Sequence, residues 1–510
     1  MKFSYLLSIL ILSIQVLHAQ IAEPCYKDQV VTSSYATAGS GLYKNEIIWL
    51  TWGGKDENNP YGKPNQELET GTKSYASILL GEGKYLCLEA EIIKIDKAII
   101  ESYRPGDYPG DSMDDWYNIG GNNSNNKLIC GIINKTQGAQ THFKIRIKSS
   151  INGTPIRLRG LVVADAESTD PFEYIRCKAD GTWSIIDVKK NITQGPYIIR
   201  KDPKEKIIQF GTGNDISTAA IAALKFNSTA FKVGSYESEI EISTKGSGKQ
   251  AVAIGVLTPG IDLGDAPESY GDPLHTIEKL NLSVDNSNYT NVFSGNLYSG
   301  SWTYRDRQTN ININNYNPAR IIPNGPYYLG TTHPGTNTHP VHSILANLDG
   351  LDNNLPLEED AWPETKKRVS YNSPGFTIGS SLQIQIPYTA SNEGYITAWI
   401  DFDGDGYFAN NQQENVSTDS SGNIILTSSN HFEFTAIKVK PNVNGVATLN
   451  WTIPKKMKYN NTYVRLRIGE RLDEISSPIS NAIEGEVEDH RIIILTPGST
   501  NPNIQNTLKK

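Results

Sequence analysis

The sequence is poor in the features that mark membrane proteins, nucleic-acid-binding proteins and common enzymes. Beyond residue 20 it has no apolar run approaching the roughly 20 residues that a membrane-spanning helix needs. Its net charge is -8, whereas proteins that bind nucleic acids usually carry clustered positive charge. It contains neither a GxSxG nucleophile elbow nor an HExxH zinc helix. We therefore expect no membrane span, no nucleic-acid partner and no enzymatic activity.

Methionine is scarce, with 3 residues, whereas glycine (43), proline (26) and tyrosine (26) are plentiful. This composition favours many short strands with tight turns over long helices. At 510 residues the chain is too long for a single hydrophobic core. We expect an all-β protein of two β-sandwich domains, jelly-roll or immunoglobulin-like, joined by a long loop-rich connector.

Residues 1–20 are typical of a secretory signal peptide. Lys2 precedes an apolar run from Tyr5 to Leu17 that is too short to cross a membrane. The pattern predicts a secreted or extracellular protein, either released or associated with the cell surface. The polar tail at residues 496–510 has no LPxTG-like anchoring motif.

Cysteine is also rare, with 4 residues, and all of them lie within the first 177 positions of the chain. There is no CxxC pair, which argues against a zinc knuckle. An even number in an exported chain predicts two disulfides, with three connectivities that the sequence does not separate. The alternative is buried free thiols. The cysteines are Cys25, Cys87, Cys130 and Cys177.

The first domain is expected at residues 22–259. Phe143–Lys148 alternates between apolar and cationic residues, which predicts a strand with one buried face. Pro155–Ala164 begins by alternating and then becomes continuously apolar, which predicts a strand buried on both faces at its end. An alanine-rich run at Ile216–Leu224, with Asp215 as N-cap, predicts one short helix.

Four blocks stand out in this domain: Leu42–Trp52, Gly160–Glu167, the lone Trp183 and the closing Lys249–Leu257. In this order they resemble the non-repetitive ligand-binding domain of CshA-type fibrillar adhesins. The resemblance implies a lectin-like β-sandwich that binds a host extracellular protein or a glycan. It also implies that Asp165 and Glu167 lie near a binding face; the alternative is a strand-end turn with solvated carboxylates.

Residues 260–370 are expected to form an Asn-, Gly- and Pro-rich connector. It opens with Asp262–Gly271, and few of its segments alternate. So much chain without periodicity predicts either an ordered extended spacer or partial disorder.

An acidic loop follows a strand near Thr397 in the last domain. Its carboxylates occupy alternate positions before Gly406, a pattern that suits the all-oxygen coordination of Ca²⁺. Position 12 of the helix-loop-helix calcium motif is Gln412 here, so we predict a calcium loop on a β-scaffold. The alternative is a plain Asp-Gly hairpin turn. The predicted ligands are Asp401, Asp403, Asp405, Tyr407 through its carbonyl, and Glu414.

The last domain is expected at residues 371–495. Glu486 and Glu488 share one strand face, and Arg465 and Arg467 share a face of the preceding strand. Charge pairing between these two strands is expected to set their register. Strands at sandwich spacing are predicted at Leu382–Ile386, around Trp399, and at Phe434–Val439, Val446–Ile453, Tyr463–Ile468 and Arg491–Leu495.

The literal string GEVED at Gly485–Asp489, with the acidic loop and the strand Tyr463–Gly469, looks like a GEVED domain. The resemblance implies a β-sandwich of a kind found in large secreted or surface proteins of bacteria, often beside adhesin modules. The sequence therefore predicts a secreted, adhesin-like binding protein with a calcium-stabilised C-terminal sandwich. Two alternatives remain: a carbohydrate-active enzyme or its sugar-binding accessory module, and a structural component of an extracellular matrix.

Overall fold

The structure of the protein is a computed structural model. The signal peptide predicted at residues 1–20 and the tail at residues 496–510 lie outside the residues that it describes. Within the described residues, no helix is both long enough and apolar enough to cross a membrane. The described residues are 25–26, 28–81, 83–108, 111–118, 125–167, 169, 173–189, 199–211, 219–232, 234–277, 280–285, 317–322, 325–337, 342–347, 358–370, 376–409, 412–420, 424–426 and 432–495.

The first domain consists of two antiparallel sheets. One sheet has nine strands, in the order β12-β15-β10-β17-β7-β6-β3 with β1 and β2 attached, and the other has eight, in the order β13-β14-β11-β16-β8-β5-β4 with β9 attached. A short helix, α1, spans Ser112–Trp116. The strands are β1 Ser34–Tyr35, β2 Ile47–Trp49, β3 Glu67–Leu68, β4 Lys73–Gly81, β5 Lys84–Lys97, β6 Ile100–Tyr103, β7 Gly131–Asn134, β8 Gln140–Ile151, β9 Thr154–Ile156, β10 Gly160–Asp165, β11 Tyr174–Lys178, β12 Gly181–Lys189, β13 Ile199–Asp202, β14 Ile207–Phe210, β15 Ala219–Phe226, β16 Ser238–Lys245 and β17 Ala251–Leu257.

Apolar side chains from both sheets form one core. Phe143 and Ile145 on β8 join Leu161 and Val163 on β10 in this cluster. The alternation predicted for β8 is confirmed, because its intervening cationic residues are only half-buried. Burial of one face of every long strand is the main driving force for this sandwich.

The strand β10 is buried on both faces, as its continuous apolar run predicts. Leu161 packs in the core between the sheets, whereas Val162 belongs to a second cluster on the other face of the nine-stranded sheet. Its neighbour β15 follows the same rule, with Ala222 in one cluster and Ala223 in the other. The helix predicted over residues 216–224 is therefore wrong from Ala219 onward, because two-sided burial in the sheet outweighs the helix propensity of alanine. Residues 212–218 lie outside the described residues.

The cysteines form one disulfide rather than two. Cys25 and Cys87 are bonded, with their Cα atoms 5.5 Å apart, which fastens the start of the described chain to β5. Cys130 and Cys177 are buried free thiols, so the prediction of a second disulfide is wrong. Cys177 lies in the core between the sheets and Cys130 in the cluster on the outer face, so the nine-stranded sheet keeps them apart.

The last domain is a smaller β-sandwich. A sheet in the order β20-β22-β27 faces one in the order β21-β30-β28-β23-β26, and their side chains share one core. All six predicted strands of this domain are present, and two β-sandwich domains are confirmed. A short helix, α2, spans Leu472–Ile475. The remaining strands are β18 Gly260–Leu263, β19 Leu274–Ile277, β20 Tyr327–Leu329, β21 Arg368–Ser370, β22 Ser381–Ala390, β23 Gly394–Ile400, β24 Val416–Thr418, β25 Ile424–Leu426, β26 Phe434–Val439, β27 Asn442–Thr452, β28 Asn461–Gly469, β29 Asn481–Ile483 and β30 Glu486–Leu495.

The first part of the predicted connector packs against both domains: Ile261 and Leu274 lie in the core of the first domain, whereas its strands pair with those of the last. Strand β18 pairs with β19, and β19 pairs in parallel with β29, next to the GEVED string. Strand β20, also from the connector, pairs with β22 of the sandwich. These parts are neither spacer nor disordered chain; residues 286–316 of the connector lie outside the described residues.

The charge pairing between β28 and β30 differs from the predicted one. Arg465 lies opposite Asp489 and holds it through two hydrogen bonds of 2.7 Å, with both side chains fully buried. Glu486 and Glu488 lie opposite Ile468 and Leu466, on the other face of the sheet. The predicted pairing of the two arginines with Glu486 and Glu488 is wrong, because strand alternation turns these acids away from them.

We predict that Arg465→Met destabilises the last domain by about 3–5 kcal/mol, because Asp489 would remain buried without its partner. The measurement is the unfolding transition of the last domain by calorimetry and urea denaturation. Lys438→Met, which breaks the exposed pair with Glu393, is the matched control and should cost less than about 1 kcal/mol. Equal effects of the two substitutions would contradict the prediction.

Candidate functional site

The acidic loop after β23 is organised by its own carboxylates. Asp401 is buried, and its side chain accepts hydrogen bonds from the backbone N–H of Gly404 at 2.5 Å and of Gly406 at 3.2 Å. Both glycines have a positive φ, of 64° and 92°, which other residues adopt only with strain. The hydroxyl of Tyr270 donates to Asp401 Oδ2 at 2.6 Å, so the start of the connector holds the loop in place.

Asp401 and Asp403 lie close to Glu433, a residue that no sequence motif indicates. One carboxylate oxygen from each of the three lies within 4.8 Å of the others, an arrangement that could hold a metal ion. Glu433 accepts from the N–H of Phe402 at 3.0 Å and of Ala409 at 2.8 Å, so it faces the loop from the segment before β26. Its distance along the sequence from the loop explains why no spacing rule identifies it.

Burial and mutual repulsion shape the protonation of this cluster. Burial, reinforced by the charges of Asp401 and Asp403, raises the pKa of Glu433 to about 8. Burial also raises the pKa of Asp401, although the hydroxyl of Tyr270 opposes this shift. A divalent cation among these oxygens would offset the repulsion and favour the ionised carboxylates.

The other predicted calcium ligands are placed differently. Asp405 is exposed and accepts from the N–H of Tyr407 at 2.9 Å, which is the role of a turn residue. Glu414 is buried, and burial raises its pKa to about 7. Neither Asp405 nor Glu414 belongs to the cluster that Asp401, Asp403 and Glu433 form among the described residues.

The two carboxylates that the adhesin resemblance implicates have separate environments. Asp165 is fully buried, where it accepts from Thr169 Oγ1 at 2.8 Å and from Gln250 Nε2 at 3.0 Å. It therefore ties β10 to the residue before β17, and this burial contradicts its expected place on a binding face. Glu167, two residues later, is buried and lines a surface pocket.

That pocket, which we call the Glu167 pocket, has a volume of about 250 Å³. Tyr108 is 61% exposed and offers a ring to solvent beside the buried Tyr103. Acids and one lysine surround the rings: Asp107, Glu167, Glu173 and Lys249. A rigid aromatic face next to hydrogen-bonding groups is suited to stacking on a sugar ring or on an apolar protein side chain.

Ion pairs join the first domain to the last. The ammonium of Lys225 lies 3.1 Å from Glu484 Oε1, and the guanidinium of Arg159 also contacts this carboxylate. Although burial acts to raise the pKa of Glu484, these two cations hold it below its usual range. Arg157 adds a contact of 3.2 Å to Glu474 in α2. Among the described residues, the residue before the GEVED string is therefore one of several acids that connect the last domain to cations of the first.

Comparison with known families identifies both domains. Residues 45–257 match the family model for the surface adhesin CshA non-repetitive domain 2. Residues 395–493 match the model for the GEVED domain. No curated protein matches the chain significantly.

Among solved structures, one similar chain is the N-terminal domain of the Streptococcus gordonii adhesin Sgo0707. The two share 7% identity with a TM-score of 0.30, over 92% of this chain and 88% of that one. Salmonella alpha-2-macroglobulin reacted with methylamine is similar at 10% identity and a TM-score of 0.13, over 85% of this chain and 33% of that one. At these TM-scores neither likeness carries an argument.

The two family matches agree with the motifs in kind, order and approximate position. The chain therefore carries a surface adhesin CshA non-repetitive domain 2 followed by a GEVED domain.

Proposed function

We propose that this protein is an extracellular, adhesin-like binding protein whose first domain recognises a glycan or a protein of a host surface. The observation that carries the proposal is the Glu167 pocket, which lies within the part of the chain that matches a surface adhesin domain. Its volume of about 250 Å³ suits one sugar ring or one large side chain. The role of the protein is to hold a ligand and not to transform it.

Tyr108 and Glu167 have distinct parts in this proposal. The exposed ring of Tyr108 is the stacking surface, and its rigidity keeps the entropic cost of contact low. The carboxylate of Glu167 accepts hydrogen bonds from ligand hydroxyl or amide groups and so fixes their orientation. Both residues lie on the sandwich close to strand ends, where the sheet supports the loops that carry them.

We predict that Tyr108→Ala weakens binding at least about fivefold, the loss expected from one aromatic contact of about 1 kcal/mol. The measurement is a screen of the mature protein against a glycan array and a panel of extracellular-matrix proteins, followed by titration of each ligand found. Glu167→Gln should weaken the same ligands.

Tyr459→Ala is the matched control, because Tyr459 is also an exposed tyrosine but lies in the last domain. Undiminished binding by Tyr108→Ala and Glu167→Gln would remove the Glu167 pocket as the binding site. Release of soluble sugar from any bound polysaccharide would favour an enzyme instead.

We further propose that Ca²⁺ binds to Asp401, Asp403 and Glu433 and stabilises the GEVED domain. The convergence of three carboxylates and the raised pKa of Glu433 support this proposal. The N–H groups around the cluster use only part of the acceptor capacity of these oxygens, so lone pairs are left for an ion. In this assignment Asp405 shapes the loop by accepting from the N–H of Tyr407, and neither the Tyr407 carbonyl nor Glu414 has a part in binding the ion.

We predict that Ca²⁺ at about 100 times its dissociation constant stabilises the last domain by about 2–3 kcal/mol, and that EDTA abolishes the effect. The measurement is calorimetric unfolding with Ca²⁺ and with EDTA. Asp403→Asn should lose the Ca²⁺ response, whereas Asp405→Asn, a neighbouring acid outside the cluster, should keep it. The proposal is wrong if EDTA leaves the transition midpoint of the last domain unchanged.

A further inference from the structure

A second set of metal-ligating side chains lies in the last domain, away from the acidic loop. His490 Nε2 is 2.8 Å from Glu488 Oε2 and 3.8 Å from Glu359 Oε2. Glu488 and His490 are two residues apart on β30, so they project from the same face of the strand. Glu359 approaches from the segment before β21, and no residue is shared with the cluster of Asp401, Asp403 and Glu433.

The three side chains of this set are almost completely removed from solvent. The side chains of Glu488 and His490 are each 1% exposed, and that of Glu359 is 6% exposed. Glu488 Oε1 has no hydrogen-bond partner among the described residues. The ammonium of Lys367 lies near enough to act on Glu488, but it forms its own ion pair with Glu364 at 2.5 Å. A buried carboxylate with an unpartnered oxygen, such as that of Glu488, is costly to ionise without compensation.

We propose that Glu359, Glu488 and His490 bind a divalent transition metal ion of the Zn²⁺ class. One imidazole nitrogen with two carboxylate oxygens is a donor set that Zn²⁺ accepts readily. Ca²⁺ takes oxygen donors, so this set selects against the ion proposed for the acidic loop. The two sites of the last domain therefore differ in the chemistry of their ligands.

The distances between the ligand atoms fit such an ion. Two donors about 2.1 Å from a tetrahedral metal are about 3.4 Å apart. The separations of 2.8 Å and 3.8 Å lie on either side of this value, so shifts of about half an ångström complete the site. Nε2 of His490 shares a hydrogen bond with Glu488; when Nε2 binds the metal instead, the imidazole proton resides on Nδ1.

Surrounding groups fix the ligands and leave one side open. The N–H of Ala361 donates to Glu488 Oε2 at 2.9 Å, which orients that carboxylate. The ring of Trp362 lies 6.4 Å from the imidazole of His490, centre to centre. Glu359 and His490 also line a pocket of about 410 Å³. Three protein ligands next to a pocket leave a fourth coordination position for water or for a donor from outside.

The test is titration of the mature protein with Zn²⁺ by calorimetry, after EDTA treatment and removal of any affinity tag. We expect Glu359→Gln and His490→Gln each to weaken Zn²⁺ binding at this site at least tenfold. Asp405→Asn, an acid outside both clusters of the last domain, is the matched control and should leave Zn²⁺ binding unchanged. An equal concentration of Ca²⁺ should not compete.

A measurement on the unaltered protein guards against variants that fail to fold. X-ray absorption of the Zn²⁺-loaded protein should show nitrogen and oxygen ligands without sulfur, which excludes the free thiols of Cys130 and Cys177. The proposal is overturned if the unaltered protein binds no Zn²⁺ below about millimolar concentration. A sulfur ligand, or a folded Glu359→Gln variant with full affinity, would overturn it equally.

Discussion

Two buried guanidinium groups determine how the last domain is assembled. Arg465 and Arg467 alternate on β28 and are fully buried, on the face of the sheet away from the sandwich core. Arg465 donates to the carbonyl of Tyr270 at 2.8 Å, and Arg467 donates to Nε2 of His275 at 2.9 Å. A buried guanidinium is tolerated only when its donors are satisfied, so this stretch of the connector must cover the sheet. The stretch of the connector around Tyr270 and His275 therefore folds together with the last sandwich.

Several residues of the GEVED string each have a different structural role. At Gly485 φ is +106°, and a Cβ atom there would lie 1.8 Å from the Ile468 carbonyl oxygen. Glu486 accepts from the N–H of Leu329 in β20, and the N–H of Val487 donates to Asp262 at 2.7 Å. The residues after Gly485 thus attach separate segments to β30, as Asp489 does through Arg465. These contacts explain the motif by the assembly of the domain.

Strands with one buried face are predictable from the sequence. Strands that are buried on both faces are not, and neither are site residues far from the others along the chain. The alternation in β8 and β22 predicts both strands, because period two reports a single buried face. The alanines of β15 carry no such signal, since both faces of that strand are buried and small side chains suit a helix equally well. Asp401 and Asp403 were identifiable from the loop, but Glu433 reaches them only through the pairing of β23 with β26.

Under the proposed function, force on a bound ligand would pass from the first domain to the last. Here the route from the first domain passes through Arg159 and Lys225 to Glu484, the residue directly before Gly485. Strand β30 begins two residues later and carries Glu488 and His490. A metal ion held by these residues and Glu359 would tie β30 to the segment before β21. The motif and the candidate metal site therefore share β30, and the ion pairs from the first domain reach the residue two positions before it.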